Sequence, residues 1–316
     1  MSRRKANTVH GWVVVDKPAG ITSTDTVGIV KRVFGAGKAG HAGTLDPMAT
    51  GVLAVALGEA TKTVPFAMAA EKTYRFTACW GEQRDSDDAE GRAIATADQR
   101  PSGSEIEAAL PRFTGKILQV PPAYSAVKVR GERAYDLARE GEAPQLEARE
   151  IVVHAVKLLG CPDPDHAEFE MVCGKGVYVR AWVRDLAQAL GTVGHVSALR
   201  RTAIGRFLVE DAIPLEKLKP LMHSPAAFEH LRPISAALDG IPAVPVSGSD
   251  AVRLRSGNAI LLRADLFARI RNFSDGGDNP QGLTVFLSTA GGEPIALAEL
   301  AEGELRPFRV FNFGTG

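Results

Sequence analysis

Residues 40–51 read GHAGTLDPMATG. One carboxylate, Asp46, stands between a glycine-bracketed turn and a proline, with His41 five residues upstream. Pro47 disfavours the α conformation at Asp46 and pushes it toward an extended one. Gly40 and Gly43 let the backbone bend where other residues resist. A single acid on a stiff loop suits a nucleophile or a base. The same dipeptide also fits a helix start, with Asp as N-cap and Pro in the first turn. Read alone, the segment favours the cap, because caps far outnumber catalytic acids. Only the rest of the chain can move that balance.

A chain of 316 residues has room for about two domains. Hydrophobic residues make up 45% and charged residues 23%, ordinary for a soluble protein that buries a core. No apolar run is long enough for a membrane span, and the basic start MSRRKANTVHGW lacks the apolar region of a secretory signal. Cys79, Cys161 and Cys173 show neither metal-ligand spacing nor a disulfide framework, which points to a reducing cytoplasm. The net charge is zero, but it is segregated. Residues 1–41 carry seven basic side chains against Asp16 and Asp25, and residues 171–206 carry six against Asp185. Residues 81–110 carry eight acids against three arginines. Such segregation can give a neutral protein a basic face for nucleic acid; the plainer alternative is solvated surface.

The pattern predicts a strand at Trp12–Val15, a helix over 24–34 and a strand carrying Leu53, Val55 and Leu57. Over 72–80, Tyr74, Phe76, Ala78 and Trp80 fall on one face. Ser104 and Glu107 fit a capping box, and Gly115 stops the helix that follows. Residues 121–149 read as an irregular insertion with a helical piece near Tyr135–Arg139. Residues 150–159 and 166–173 read as neighbouring strands, and 179–190 as a helix closed by Gly191. Residues 241–250 look like a linker into a small, mostly β second unit with a hairpin over 284–297.

Cofactor motifs fail. GAGKAG at 35–40 matches G-x-G-x-x-G, but a helical segment precedes it and a broken loop follows, the reverse of a dinucleotide site. No Walker A motif, metal-ligand spacing or G-x-S-x-G elbow is present. No cofactor, nucleotide or metal is expected. What remains gathers around Asp46. Arg180 falls in the first turn of the 179–190 helix, where the macrodipole disfavours a cation and a nearby carboxylate would relieve it. Such a pair would also keep the acid ionised. The alternative is an exposed Arg180 paired with Asp185. Tyr74 and Tyr178 could stack on a nucleobase, although Tyr74 also fits a core-facing strand position.

Several ordered segments now make the chain recognisable. They are DKPAGITS at 16–23, GHAGTLDPMATGVL at 40–53, LGEATK at 57–62 and KTYRF at 72–76. DSDDAEG at 85–91, PPAYSAVK at 121–128, KGVYVR at 175–180 and LRR at 199–201 follow. Together they resemble the TruB family, the bacterial tRNA pseudouridine-55 synthases, from about residue 10 to 215. PFRVF at 307–311 resembles the end of the small C-terminal domain of many members.

The resemblance implies an α+β pseudouridine synthase fold: a mixed, largely antiparallel sheet with flanking helices, plus a small mostly β C-terminal domain. It implies a catalytic domain over 9–238, with 121–149 as an RNA-binding insertion, and a PUA-like RNA-binding domain over 239–316. The implied activity is isomerisation of a uridine in the T-loop of tRNA, with base flipping and no redox step, ATP or metal. Asp46 maps to the catalytic acid, Arg180 to its partner and Tyr74 to the residue packed on the target base. Tyr178 maps to a second pocket aromatic, Leu199 to an apolar wall and His41 to a residue holding the flipped-out loop. Lys17 and Pro18 belong to a buttressing motif, Lys175 opens the motif that carries Arg180, and all three count with His41, Tyr178 and Leu199 as substrate-binding residues. The implied partner is the T-arm stem-loop of tRNA, bound by a monomer, with no membrane.

Gly174, Arg84 and Ala42 depart from residues frequent in the family, and the C-terminal segment carries little clustered positive charge. Three roles stay open for Asp46: attack on the uracil ring, attack on ribose C1′, or removal of a proton. A non-catalytic tRNA-folding protein and a guide-RNA-dependent synthase are the alternative functions.

Overall fold

The computed structural model describes residues 9–125, 127–129, 132–139, 145–222, 224–271 and 282–313. Its largest sheet is built on strands that are apolar on both faces. Strand β1 (Gly11–Lys17) turns Val13 and Val15 to one core and Trp12 and Val14 to another. A short strand β2 (Ala39–His41) and a long one, β3 (Thr50–Leu57), follow helix α1 (Ser23–Phe34). Strand β3 likewise divides Leu53, Val55 and Leu57 from Val52, Ala54 and Ala56. Continuous apolar strands of this kind belong to sheets covered on both sides.

Helix α1 starts where the Thr22 side chain accepts the Asp25 N–H, and Gly35, at φ 60°, ends it. Strand β4 (Lys72–Trp80) comes next. Helix α2 (Gly103–Ala109) is capped by Ser102 and Glu105 rather than by Ser104 and Glu107 as the sequence suggested. The earlier of the two overlapping patterns keeps Ile106 and Leu110 buried and leaves Glu107 exposed. Strand β5 (Gly115–Gln119) enters the insertion, of which two short paired strands and helix α3 (Ala134–Arg139) are described. Residues 126, 130–131 and 140–144, and Arg3, Arg4 and Lys5, lie outside the described residues. Strands β6 (Arg149–Asp163) and β7 (His166–Cys173), helix α4 (Val179–Ala189), and strands β8 (Gly194–Ile204) and β9 (Ile213–Pro214) complete the sheet.

The strand order is β9-β1-β3-β8-β4-β7-β6-β5, with β2 added beside β3 and Phe207–Leu208 beside β8. Only β1–β9 and β3–β8 run parallel; the sheet is mixed and largely antiparallel. Helix α4 packs on one face through Trp182, whose ring lies 5.6 Å from Phe76 and 5.5 Å from Phe169.

A second sheet of five strands packs on the opposite face at the β1 and β3 end. It comprises β10 (Ala243–Pro245), β11 (Ile260–Leu261), β12 (Thr284–Ser288), β13 (Pro294–Ala301) and β14 (Glu304–Val310), in the order β10-β12-β13-β14-β11. Residues 241–250, expected to be a linker, instead supply β10, paired in parallel with β12. Phe286, Leu297 and Phe311 share a core with Trp12, Val14 and Phe207. Lys62 Nζ donates to the Val310 carbonyl at 2.7 Å, and the Asn312 N–H to Glu59 at 2.7 Å. Among the described residues no helix is long and apolar enough to cross a membrane.

Candidate active site

Asp46 lies in the loop between β2 and β3, and the backbone of that loop is tied down almost residue by residue. No helix starts at Pro47, so the capping reading does not hold. The Ala49 N–H donates to the Asp46 carbonyl at 3.1 Å and closes a single turn. The Pro47 carbonyl, which a helix would use internally, accepts from the Gly20 N–H at 2.8 Å and from Lys17 Nζ at 3.1 Å. Ser23 Oγ accepts from the Leu45 N–H at 2.8 Å and donates to the Leu45 carbonyl at 2.9 Å. Arg201 donates to the carbonyls of Gly43 at 2.9 Å, Thr44 at 3.4 Å and Val52 at 2.8 Å. Buried backbone groups must find partners; here side chains from distant strands supply them and so fix the loop's shape.

Lys17 is fully buried at the end of β1 and spends its three N–H groups on the carbonyls of Pro18, Ile21 and Pro47. Burial pulls its pKa down to about 8, against the pull of Asp46. Pro18 is exposed, and its carbonyl is one of these acceptors.

Arg180 sits one residue inside helix α4, whose N-cap is Tyr178. Its Nε lies 2.9 Å from Asp46 Oδ2 and 3.5 Å from Asp88 Oδ2. Nη1 donates to the Ser86 carbonyl at 2.8 Å and Nη2 to the Tyr124 carbonyl at 2.9 Å. The guanidinium is buried, whereas 33% of the Asp46 side chain stays exposed. Two carboxylates thus offset a cation placed against the helix dipole. Asp185, the alternative partner, pairs with Arg184 at 2.8 Å instead. Arg184 also meets Asp87 at 3.0 Å and the Val120 carbonyl at 2.8 Å. Burial pushes the Asp87 carboxyl up to about 6, with Arg184 opposing.

The remaining residues line the ground around the acid. Tyr74 shares a face of β4 with Phe76 and stands across the strand pair from Arg201; burial pushes its phenol up, with the Arg201 charge opposing. The backbone of Tyr178 is held on both sides by Gln119, which accepts from its N–H at 2.9 Å and donates to its carbonyl at 3.1 Å. Leu199 is buried on β8 opposite Phe76. His41 ends β2; burial and Arg201 lower its pKa, with the Gly43 backbone opposing, and its Nδ1 is buried without a hydrogen-bond partner. The charge of Asp46 is felt at Lys17, Tyr74 and Tyr178. Lys175 is not drawn into this group; it stands exposed on the turn before α4. Among the described residues no three His, Cys, Asp or Glu side chains gather as metal ligands.

Sequence reasoning missed Ser23, Ser86, Asp88, Gln119 and Arg201 as parts of this site. Four of the five stood in quoted motifs, but no local signal distinguishes a buried tie from a surface polar residue. It also counted Lys17, Arg180 and Arg201 toward a phosphate-binding face. All three are at most 3% exposed and hold the protein's own groups.

The fold that carries this acid and its guanidinium is shared with solved structures. The fold aligns with a Cbf5-Nop10-Gar1 complex at TM-score 0.71 and 25% identity, over 96% of this chain and 85% of that one. It aligns with an archaeal box H/ACA Nop10-Cbf5 complex at TM-score 0.70 and 22% identity, over 96% and 88%. The architecture is the mixed α+β pseudouridine synthase fold with a mostly β C-terminal unit.

The profile of the TruB family pseudouridylate synthase N-terminal domain matches residues 31–179, and that of the tRNA pseudouridylate synthase B C-terminal domain matches 180–239. The tRNA pseudouridine synthase B of Bradyrhizobium diazoefficiens is 52% identical over 98% of this chain and 88% of its own. That of Rhodospirillum rubrum is 50% identical over 98% and 99%. The chain belongs to the TruB family. It is an isomerase, a tRNA pseudouridine synthase. The junction between the two profiles falls in the first turn of α4, inside the large sheet rather than between the two sheets.

Proposed function

We propose that the enzyme converts the uridine at position 55 in the T-loop of tRNA to pseudouridine, with Asp46 as the catalyst, as a monomer that needs no guide RNA. The bond from C1′ to N1 breaks, the uracil turns, and a bond from C1′ to C5 forms. C5 loses a proton and N1 gains one, so the product is an isomer and no electrons enter or leave. A base stacked inside a folded loop must first be extruded, at a cost of a few kcal/mol. Tyr74, Tyr178 and Leu199 offer the extruded base an apolar and aromatic seat. His41, at the end of β2, is the residue that would hold the loop the base leaves. Arg180 fixes one of the Asp46 oxygens, which leaves the acid aimed before the substrate arrives.

The observation that carries this reading is the ion pair of 2.9 Å between Arg180 and an Asp46 that is still one-third exposed. A structural salt bridge has no need to keep its acid open to a cleft. The test is pseudouridine mapping in a bare T-arm transcript incubated with this protein alone. Modification at the single T-loop uridine is expected, and Asp46→Asn should abolish it while tRNA binding persists. A guide-RNA-dependent synthase would leave the bare transcript unmodified, and a tRNA-folding protein would bind it without changing a base.

A further inference from the structure

Arg200 and Arg201 are neighbours on β8 and point to opposite faces. Arg200 pairs with Asp16 at 2.7 Å, is 41% exposed, and is an ordinary surface partner. Arg201 is 1% exposed, and no carboxylate lies within 4.0 Å of its guanidinium among the described residues. A buried cation without a counter-ion is costly. Here its N–H groups go to three carbonyls, two of them two and three residues from Asp46.

Its position in the sheet adds a second connection. Arg201 is the direct cross-strand partner of Tyr74 on one side and of Gly51 on the other. Gly51 has φ 97°, and a Cβ there would fall 2.1 Å from the Arg201 carbonyl oxygen, so only glycine permits the approach. Arg201 therefore joins the loop that carries the acid to the tyrosine on the pocket wall.

We propose that Arg201 is a positioning residue for the isomerisation: its guanidinium shapes the Asp46 loop, and its place across the strand pair from Tyr74 orients that hydroxyl toward the base. This rests on the roles of Asp46 and Tyr74 given above. The cation also bears on the titration of Tyr74, since it opposes the rise that burial imposes on the phenol.

A double-mutant cycle in the full-length enzyme tests it, using single-turnover pseudouridine formation on a tRNA transcript alongside tRNA affinity. Arg201→Met should slow turnover by about ten- to a hundred-fold, the usual cost of misplacing a reacting group, with affinity unchanged. In a Tyr74→Phe background the same change should cost distinctly less, because part of its effect runs through that hydroxyl. Equal losses in both backgrounds, or a loss seen only as weaker binding, overturn the proposal. If Arg201→Met does not fold, Arg201→Lys keeps the charge and stem but not the fork, and the same cycle applies. If Tyr74→Phe is too slow to measure, ultraviolet titration of tyrosine in the free enzyme replaces the cycle. The step assigned to Tyr74 should move to higher pH without Arg201, and an unmoved step overturns the proposal. An inactive Asp46→Asn enzyme with an additive cycle removes only the role of Arg201; an active one removes the reading on which it rests.

Discussion

Arg180 reaches the Asp46 loop from the helix side and Arg201 from the sheet side, and they are 3% and 1% exposed. Arg180 meets two carboxylates, Asp46 and Asp88, and two carbonyls. Arg201 meets three carbonyls, with no acid among the described ion pairs. The difference separates two uses of one side chain. On the helix side the charge is offset, and the guanidinium aligns an acid. On the sheet side the charge is left over, and the planar fork serves as a brace for backbone. Lysine could replace neither well, because a point charge cannot span several acceptors in one plane.

The comparison breaks most visibly at Arg180. Arg180→Met is expected to slow single-turnover pseudouridine formation by about a hundred- to a thousand-fold, as for loss of a pre-aimed electrostatic group. It should also cost about 3–5 kcal/mol in a urea titration, because Asp88 is left buried without its cation. Asp88→Asn makes Arg180 more like Arg201 by removing one of its two acids. Turnover should then fall by about ten-fold, a smaller loss because Asp46 keeps its partner.

A third arginine, the half-buried Arg184, sharpens the pattern through pH. Its partner Asp87 has a folded pKa near 6 against an ordinary value of 3.8. The folded state then holds a proton that the unfolded chain has released between about pH 4 and 6. Stability should therefore fall by about 1–3 kcal/mol as pH rises through that window. Asp87→Asn should flatten the dependence, as read by thermal melts across the range. The smallest effect is expected next door to Arg201. Arg200→Gln breaks an exposed pair and should change stability by about 0–1 kcal/mol, with turnover unaltered.

Strand and helix periods were plain in the sequence, and so was the placement of Arg180 in the first turn of a helix that needed an anion there. The depth of charged residues was not. Lys17, Arg180 and Arg201 look like surface charge in any count along the chain, because burial depends on strands that pair across 150 residues and more. DSDDAEG at 85–91 gave only a count of acids and a motif, yet Asp87 and Asp88 are its buried ties to Arg184 and Arg180. The helix cap at Asp46 failed for a related reason. Pro47 suits a cap and a turn equally, and the choice was made by Gly20 and Lys17 taking its carbonyl.

The central claim is that Asp46 is the catalyst and Arg180 its fixed partner. Single-turnover pseudouridine mapping with Asp46→Asn, beside tRNA affinity for the same protein, tests it most directly. The expected result is no pseudouridine above background with affinity within a few-fold of the parent enzyme. Pseudouridine formed by the variant at the parent rate would contradict the account.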